Sequence, residues 1–232
     1  FSSMIIVFAA AMLAGALFAL IPALMKVCLN VNEVVSTLLL NFVAELYVEF
    51  LVNGALRDKA SGINLNASAV LPENTWLKHI TALEPSSANI GIYIAIIATL
   101  IMAFIFLKTR FGHEIKMVGA NPEFARYSGI KSKRTIVSVM CISGAIGGMV
   151  GTIEVTAIQH RLLAGFNPGF GFEGIVVSLL ANNNPFGVVF SGIFFGALKN
   201  GGINMERLTD VPSAVTNIVV AIIILSISAQ FA

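Results

Sequence analysis

The stretch Gly112–Arg134, GHEIKMVGANPEFARYSGIKSKR, is a polar, mostly basic island between two apolar runs. Before it stands GIYIAIIATLIMAFIFL (Gly91–Leu107), and after it TIVSVMCISGAIGGMVGTI (Thr135–Ile153). Each run approaches or reaches the roughly 20 apolar residues that cross a bilayer core. Both are continuous, unlike the alternating strands of about ten residues that build a membrane barrel. An island kept polar between two such spans is a loop at one face of the membrane.

The same reading extends outward. The chain is 57% hydrophobic and 11% charged, against about 25% charge in soluble globular domains. It reads as an all-α, polytopic membrane bundle forming a single transmembrane domain over residues 1–232. Seven hydrophobic segments can be drawn, at Met4–Met25, Val34–Val52, Ile90–Leu107, Thr135–Ile158, Phe172–Ala181, Phe186–Leu198 and Val211–Ser228. Phe172–Ala181 is too short to cross alone, and NNNP interrupts it before Phe186. The chain opens on FSSMIIVFAA with no basic n-region or cleavage site, so it is not a signal peptide, and further helices are expected before it.

Sidedness follows from the cations. Seven of the 14 Lys and Arg residues fall between Lys108 and Arg134, and short loops rich in such residues stay cytoplasmic. Residues 108–134 are therefore expected inside. Residues 53–89, one span earlier and rich in turn formers (RDKASG, LPEN), are expected outside.

Chemistry is sparse. His79, His113 and His160 are scattered, and no phosphate-cradling loop, GxSxG or HExxH is present. Cys28 and Cys141 read as small apolar filler. The chain is read as no enzyme and as holding no metal.

Polar residues inside the spans carry more information. In VNEVVSTLLLNFVAELYVEFLV, Glu33, Thr37, Asn41, Glu45 and Glu49 recur every four residues with Ser36 beside them. A carboxylate at mid-bilayer costs about 2.5–3.5 kcal/mol, so this row faces the bundle interior or a wet cavity. Ser36, Thr37, Asn41 and Glu45 either line a substrate path or bond neighbouring helices, while Glu33 and Glu49 sit at the interfaces. In SGAIGGMVG, Gly144 with Gly148 and Gly147 with Gly151 give two GxxxG spacings that admit a close helix. Asn184–Pro185 is a helix start, and a helix end at membrane depth is tolerated only against protein or a wet cavity. Glu173, Asn182, Asn183 and Asn184 are therefore path candidates, unless NNNP is an ordinary turn.

Within the island, Asn121–Pro122 starts a short helix and Gly129 ends it. This is either an inert positive-inside anchor or a docking element for a cytoplasmic protein. The phrase GHEIKMVGANPEFARYSGI resembles the coupling loop of ABC importer permeases of the branched-chain amino acid, ribose and nucleoside group, with the pattern on Gly119, Asn121, Ala125, Gly129 and Ile130. VNEVVSTLLLNFVA, GFNPGFGFEGIVVSLLANNNPFGVV and FFGALKNGG look most like the simple-sugar and nucleoside permeases of that group. The likeness covers nearly the whole chain, although the family carries N-terminal helices that this sequence lacks.

The resemblance implies one half of a permease dimer, homo- or heteromeric, in a bacterial cytoplasmic membrane. A separate ATPase, which binds the ATP–Mg, would dock on Gly119, Ala120, Asn121, Pro122, Glu123, Ala125, Arg126, Gly129 and Ile130, and an external binding protein would deliver substrate. It also implies a re-entrant pair around NNNP, with residues 200–210 outside. The amides and hydroxyls of the path suit a neutral, hydroxyl-rich solute. With no Lys or Arg read inside a span, a fixed anion site is not expected, and Phe42, Phe170 and Phe172 are available to stack on a base. A nucleoside importer is the leading expectation, with a sugar or branched-chain amino acid permease beside it. An ion-coupled carrier using Glu45 or Glu154 is the rival class.

Overall fold

The computed structural model describes residues 2–58, 66–77, 89–165 and 169–208, with 215, 218, 219, 221 and 222. Among them the regular elements are helical: α1 (Ser2–Leu29), α2 (Glu33–Asn53), α3 (Gly91–Lys108), α4 (Arg110–Ala120), α5 (Pro122–Tyr127), α6 (Ser132–Ile153), α7 (Phe170–Leu180) and α8 (Pro185–Leu208). Five helices are long and apolar enough to cross a membrane: α1 from Met4, α2, α3, α6 with the turn after it, and α8. At 11 residues, α7 is about 16 Å long, half of a hydrocarbon core of about 30 Å. The seventh expected segment, Val211–Ser228, lies largely outside the described residues, as does His79.

Two expectations change. The island is helical almost throughout, since α4 precedes the short helix that Asn121–Pro122 starts. Second, the helix from Pro185 does not stop at Leu198. It runs through Asn200, Gly201 and Gly202 to Leu208, so residues 200–208 are not a loop. Glycine is a weak helix breaker where few alternatives exist for the backbone groups, as in a membrane.

The chain divides into two compact units, Phe1–Ile94 with Ile105–Phe166, and Ala95–Phe104 with Asn167–Ala232. In the first, α1 and α6 form the closest pair and run antiparallel. A Cβ on Gly15 would fall 2.2 Å from the Gly144 carbonyl oxygen, and one on Gly148 would fall 2.2 Å from that of Ala11. Side chains are absent at this seam because the two backbones occupy their space. Beyond Ile153, α6 widens into a π-turn, Glu154–Gln159, ended by His160 in the left-handed region (φ 53°). Residues 66–77 fold over this end. The Leu77 N–H donates to the Thr156 carbonyl at 3.1 Å, the Leu71 N–H donates to that of His160 at 2.9 Å, and the Trp76 ring stacks on His160 at 4.0 Å between centroids.

In the second unit, α7 and the first part of α8 form an antiparallel hairpin. Asn182 and Asn183 take left-handed conformations (φ 51° and 55°), which asparagine tolerates better than most residues. The Asn183 N–H donates to the Ser178 carbonyl at 2.9 Å, and the Ser178 hydroxyl donates to Asn183 Oδ1 at 3.0 Å.

Candidate functional site

A cavity of about 280 Å³ opens among α1, α2 and α6. Its wall includes Phe18, Pro22, Thr37, Asn41, Met140 and Ser143. Pro22 lies inside α1 and, having no N–H, leaves the Phe18 carbonyl without its usual helical donor. The wall is thus mainly apolar with a few amide and hydroxyl groups, the composition of a small-molecule site.

The four-residue row on α2 divides. Thr37 and Asn41 reach the cavity. The Thr37 hydroxyl donates to the Glu33 carbonyl at 2.8 Å, which holds it against its own helix. Ser36 is only 3% exposed and donates to the same carbonyl at 3.1 Å, apart from the cavity wall. Glu45 and Glu49 are exposed on α2. Glu33 meets Lys26, at the end of α1, across 2.6 Å. The polar residues past Gly151 turn inward on themselves. Thr152 and Thr156 are buried, and their hydroxyls donate to the carbonyls of Gly148 (3.0 Å) and Thr152 (2.7 Å). Glu154 accepts from Gln159 Nε2 at 3.3 Å.

Among the glycines of α6, Gly144 and Gly148 lie against α1. A Cβ on Gly147 or Gly151 would meet nothing within 4 Å.

The short helix α5 is defined at both ends. Asn121 Oδ1 accepts from the N–H groups of Glu123 and Phe124, both at 3.0 Å, and Pro122 stands at the first position, where no N–H is needed. At the other end Gly129 is left-handed (φ 84°), the Ile130 N–H donates to the Ala125 carbonyl at 3.0 Å, and the Gly129 N–H donates to that of Arg126 at 3.1 Å. That bond pair is the Schellman closure, which a glycine at this position permits. The Ser132 hydroxyl donates to the Pro122 carbonyl at 3.1 Å and ties α5 to α6. Ala125 faces inward at 0% exposure, while Phe124 and Tyr127 stand out at 58% and 90%. Gly119, Ala120, Glu123 and Arg126 are exposed or nearly so around it. A rigid, capped helix therefore presents two aromatic rings beside cationic side chains.

In the hairpin, Asn184 Oδ1 accepts from the Phe186 N–H at 3.0 Å and starts α8. Asn182, Asn183 and Asn184 are exposed at this tip. Glu173 is at the far end of α7, where it pairs with Lys199 at 2.5 Å, and the Lys199 ammonium also stands 5.3 Å from the centroid of the Phe170 ring. Lys199 is the cation the sequence reading missed inside a span. It looked like the first residue of a loop because two glycines follow, yet α8 carries it in its interior.

A permease family described as the branched-chain amino acid transport system permease component matches residues 1–228. The chain belongs to that family. This permease is 35% identical over 223 residues to the guanosine ABC transporter permease protein NupP of Bacillus subtilis, covering 94% of this chain and 63% of that protein. It is 33% identical to the nucleoside ABC transporter permease protein NupB of Lactococcus lactis, covering 95% and 62%. It is also 33% identical to the glucose ABC transporter permease protein TsgB13 of Haloferax volcanii, covering 95% and 60%. The chain thus spans about three fifths of the length of these relatives. No solved structure matches it.

The permease is a multi-pass membrane protein of all-helical architecture. What sequence reasoning missed in it was α4, the π-turn and Lys199. A signal existed for the last alone, in the apolar FFGAL that leads into it without a break.

Proposed function

We propose that the chain is the membrane-spanning permease subunit of an ATP-driven importer for nucleosides in a bacterial cytoplasmic membrane. The observation that carries this reading is α5, a helix capped at both ends that offers Phe124 and Tyr127 to a partner. Aromatic residues on a rigid support are efficient interface anchors, because little entropy is lost when they are buried. A cytoplasmic ATPase, which alone binds ATP–Mg, docks there, and its closure moves α5 as a rigid handle on α6. Residues 108–134 then lie inside and 53–89 outside. A second permease subunit, identical or related, completes the path, and an external binding protein delivers the solute. Thr37 and Asn41 in the cavity and Glu173 in the hairpin serve that path, with no metal or cofactor in this chain.

The two nucleoside-named relatives favour nucleosides, and a neutral path of amide and hydroxyl groups suits them. The glucose-named relative supports a second reading, a simple-sugar permease. Uptake of labelled inosine, guanosine, glucose and leucine is to be compared in cells with and without the gene. Gene-dependent uptake of the nucleosides is expected. Unchanged nucleoside uptake overturns the substrate, and transport that persists without any ATPase but collapses with the ion gradient overturns the importer.

A further inference from the structure

Lys199 and Glu173 form an ion pair between the interior of a membrane-spanning helix and its neighbour. Ionisable residues in such spans are costly and mark pathways more often than scaffolding. Three features separate this pair from a buried brace. Both side chains keep about a third of their surface, 39% for Lys199 and 29% for Glu173. A Cβ added at Gly171, Gly174 or Gly196, on either side of the pair, would meet nothing within 4 Å, so space adjoins it on both helices. The Phe170 ring lies beside the ammonium and gives the place a flat apolar wall.

The bonding capacity is larger than the pair uses. The ammonium has three N–H donors and the carboxylate two oxygens with about four acceptor sites. The contact between them takes one donor and one oxygen, Oε1. What remains is a donor and an acceptor side by side at the rim of an aromatic ring. That set suits a planar, uncharged heterocycle whose edge carries an acceptor next to donors, and suits it better than a sugar, which has no face to stack.

We propose that Glu173, Lys199 and Phe170 form a nucleobase clamp that selects 6-oxopurines, guanine foremost; this rests on the importer reading above. Guanine presents O6, N1–H and N2–H in sequence along one edge. O6 accepts from Lys199, the pairing lysine makes with this atom in nucleic acids. N1–H and N2–H donate to the two oxygens of Glu173. Hypoxanthine keeps two of the three bonds and purine itself keeps none of this kind. Because both protein partners are ionised, each bond is charge-assisted and stronger than a neutral one. In the empty site the two groups neutralise each other, which limits the cost of holding them in the membrane.

The test is uptake by cells carrying the complete importer, with KM measured for guanosine, inosine and purine riboside, the last lacking both O6 and N1–H. Glu173→Gln and Lys199→Met are each expected to raise the guanosine KM at least tenfold, inosine less, and purine riboside under twofold, at unchanged amounts of protein in the membrane. Where a neutral variant fails to insert, Glu173→Asp and Lys199→Arg keep the charges, and a threefold guanosine-selective rise is expected of them. The exchange Glu173→Lys with Lys199→Glu retains an ion pair but reverses donor and acceptor. It is expected to insert normally and to lose the guanosine preference. An equal rise for all three solutes, or a wild-type guanosine KM in the exchanged protein, makes the pair a brace and overturns the clamp alone. Absence of nucleoside uptake by the unmutated importer overturns the substrate reading beneath it.

Discussion

The seam between α1 and α6 and the hairpin of α7 and α8 both place glycines between neighbouring helices, and they use them oppositely. At the seam the glycine hydrogens are replaced, in effect, by the other helix's backbone: Gly15, Gly144 and Gly148 have no room for a methyl group. In the hairpin, Gly171, Gly174 and Gly196 have room that nothing fills, and an ion pair stands among them. Small residues in a membrane helix thus do not by themselves mean packing. Without a hydrophobic force between helices, close backbone approach is one way to gain van der Waals contact. Open volume beside charged groups is suited to a solute.

The sharpest way to break this contrast is Gly148→Ala. Its methyl group would be driven to 2.2 Å from the Ala11 carbonyl oxygen, and overpacking of this kind costs about 1–3 kcal/mol. A large drop in folded protein by detergent thermal shift is expected, and an unchanged melting point would remove the seam. Next comes the hairpin tip, where Asn183→Val puts a β-branched residue at φ 55°. A loss of about 1–2 kcal/mol is expected, with Asn182→Gly close to neutral in the same assay. Asn121→Ala strips two N–H groups of their acceptor at the start of α5, a change worth about 1 kcal/mol. Insertion should persist while co-purification of the ATPase falls; retention of the ATPase at wild-type level would argue against docking there. Glu33→Gln opens the pair with Lys26, whose side chains are 49% and 30% exposed. For so exposed a pair, a change under about 1 kcal/mol is expected. The smallest effect belongs to Gly174→Ala and Gly147→Ala, where the new methyl meets nothing within 4 Å. Thermal shift should show no loss and a gain of at most about 1 kcal/mol from helix propensity.

Some of this was legible early because the signals are local. Asn121–Pro122 and Gly129 bound a helix through caps that involve residues at most five apart, so the letters alone suffice. The same holds for Asn184–Pro185 at the start of α8. The row on α2 was legible as a row but not as a surface. Thr37 and Asn41 reach the cavity while Ser36 and Glu45 do not line it, and neither α1 nor α6 is visible from α2's own periodicity. Lys199 was misplaced because Gly201–Gly202 reads as a loop in water, whereas in a span the backbone does better by staying helical.

Composition and span length by themselves determined that this chain is a helical membrane protein, because the cost of unbonded backbone in hydrocarbon leaves so few alternatives. The four separated motifs, read in order, pointed to its family. Only the tertiary structure decided which glycines are sealed and which open, and that Glu173 meets a lysine 26 residues away. Those facts depend on how one helix is set against another, and contacts so distant in sequence leave no period or spacing in the chain to be read.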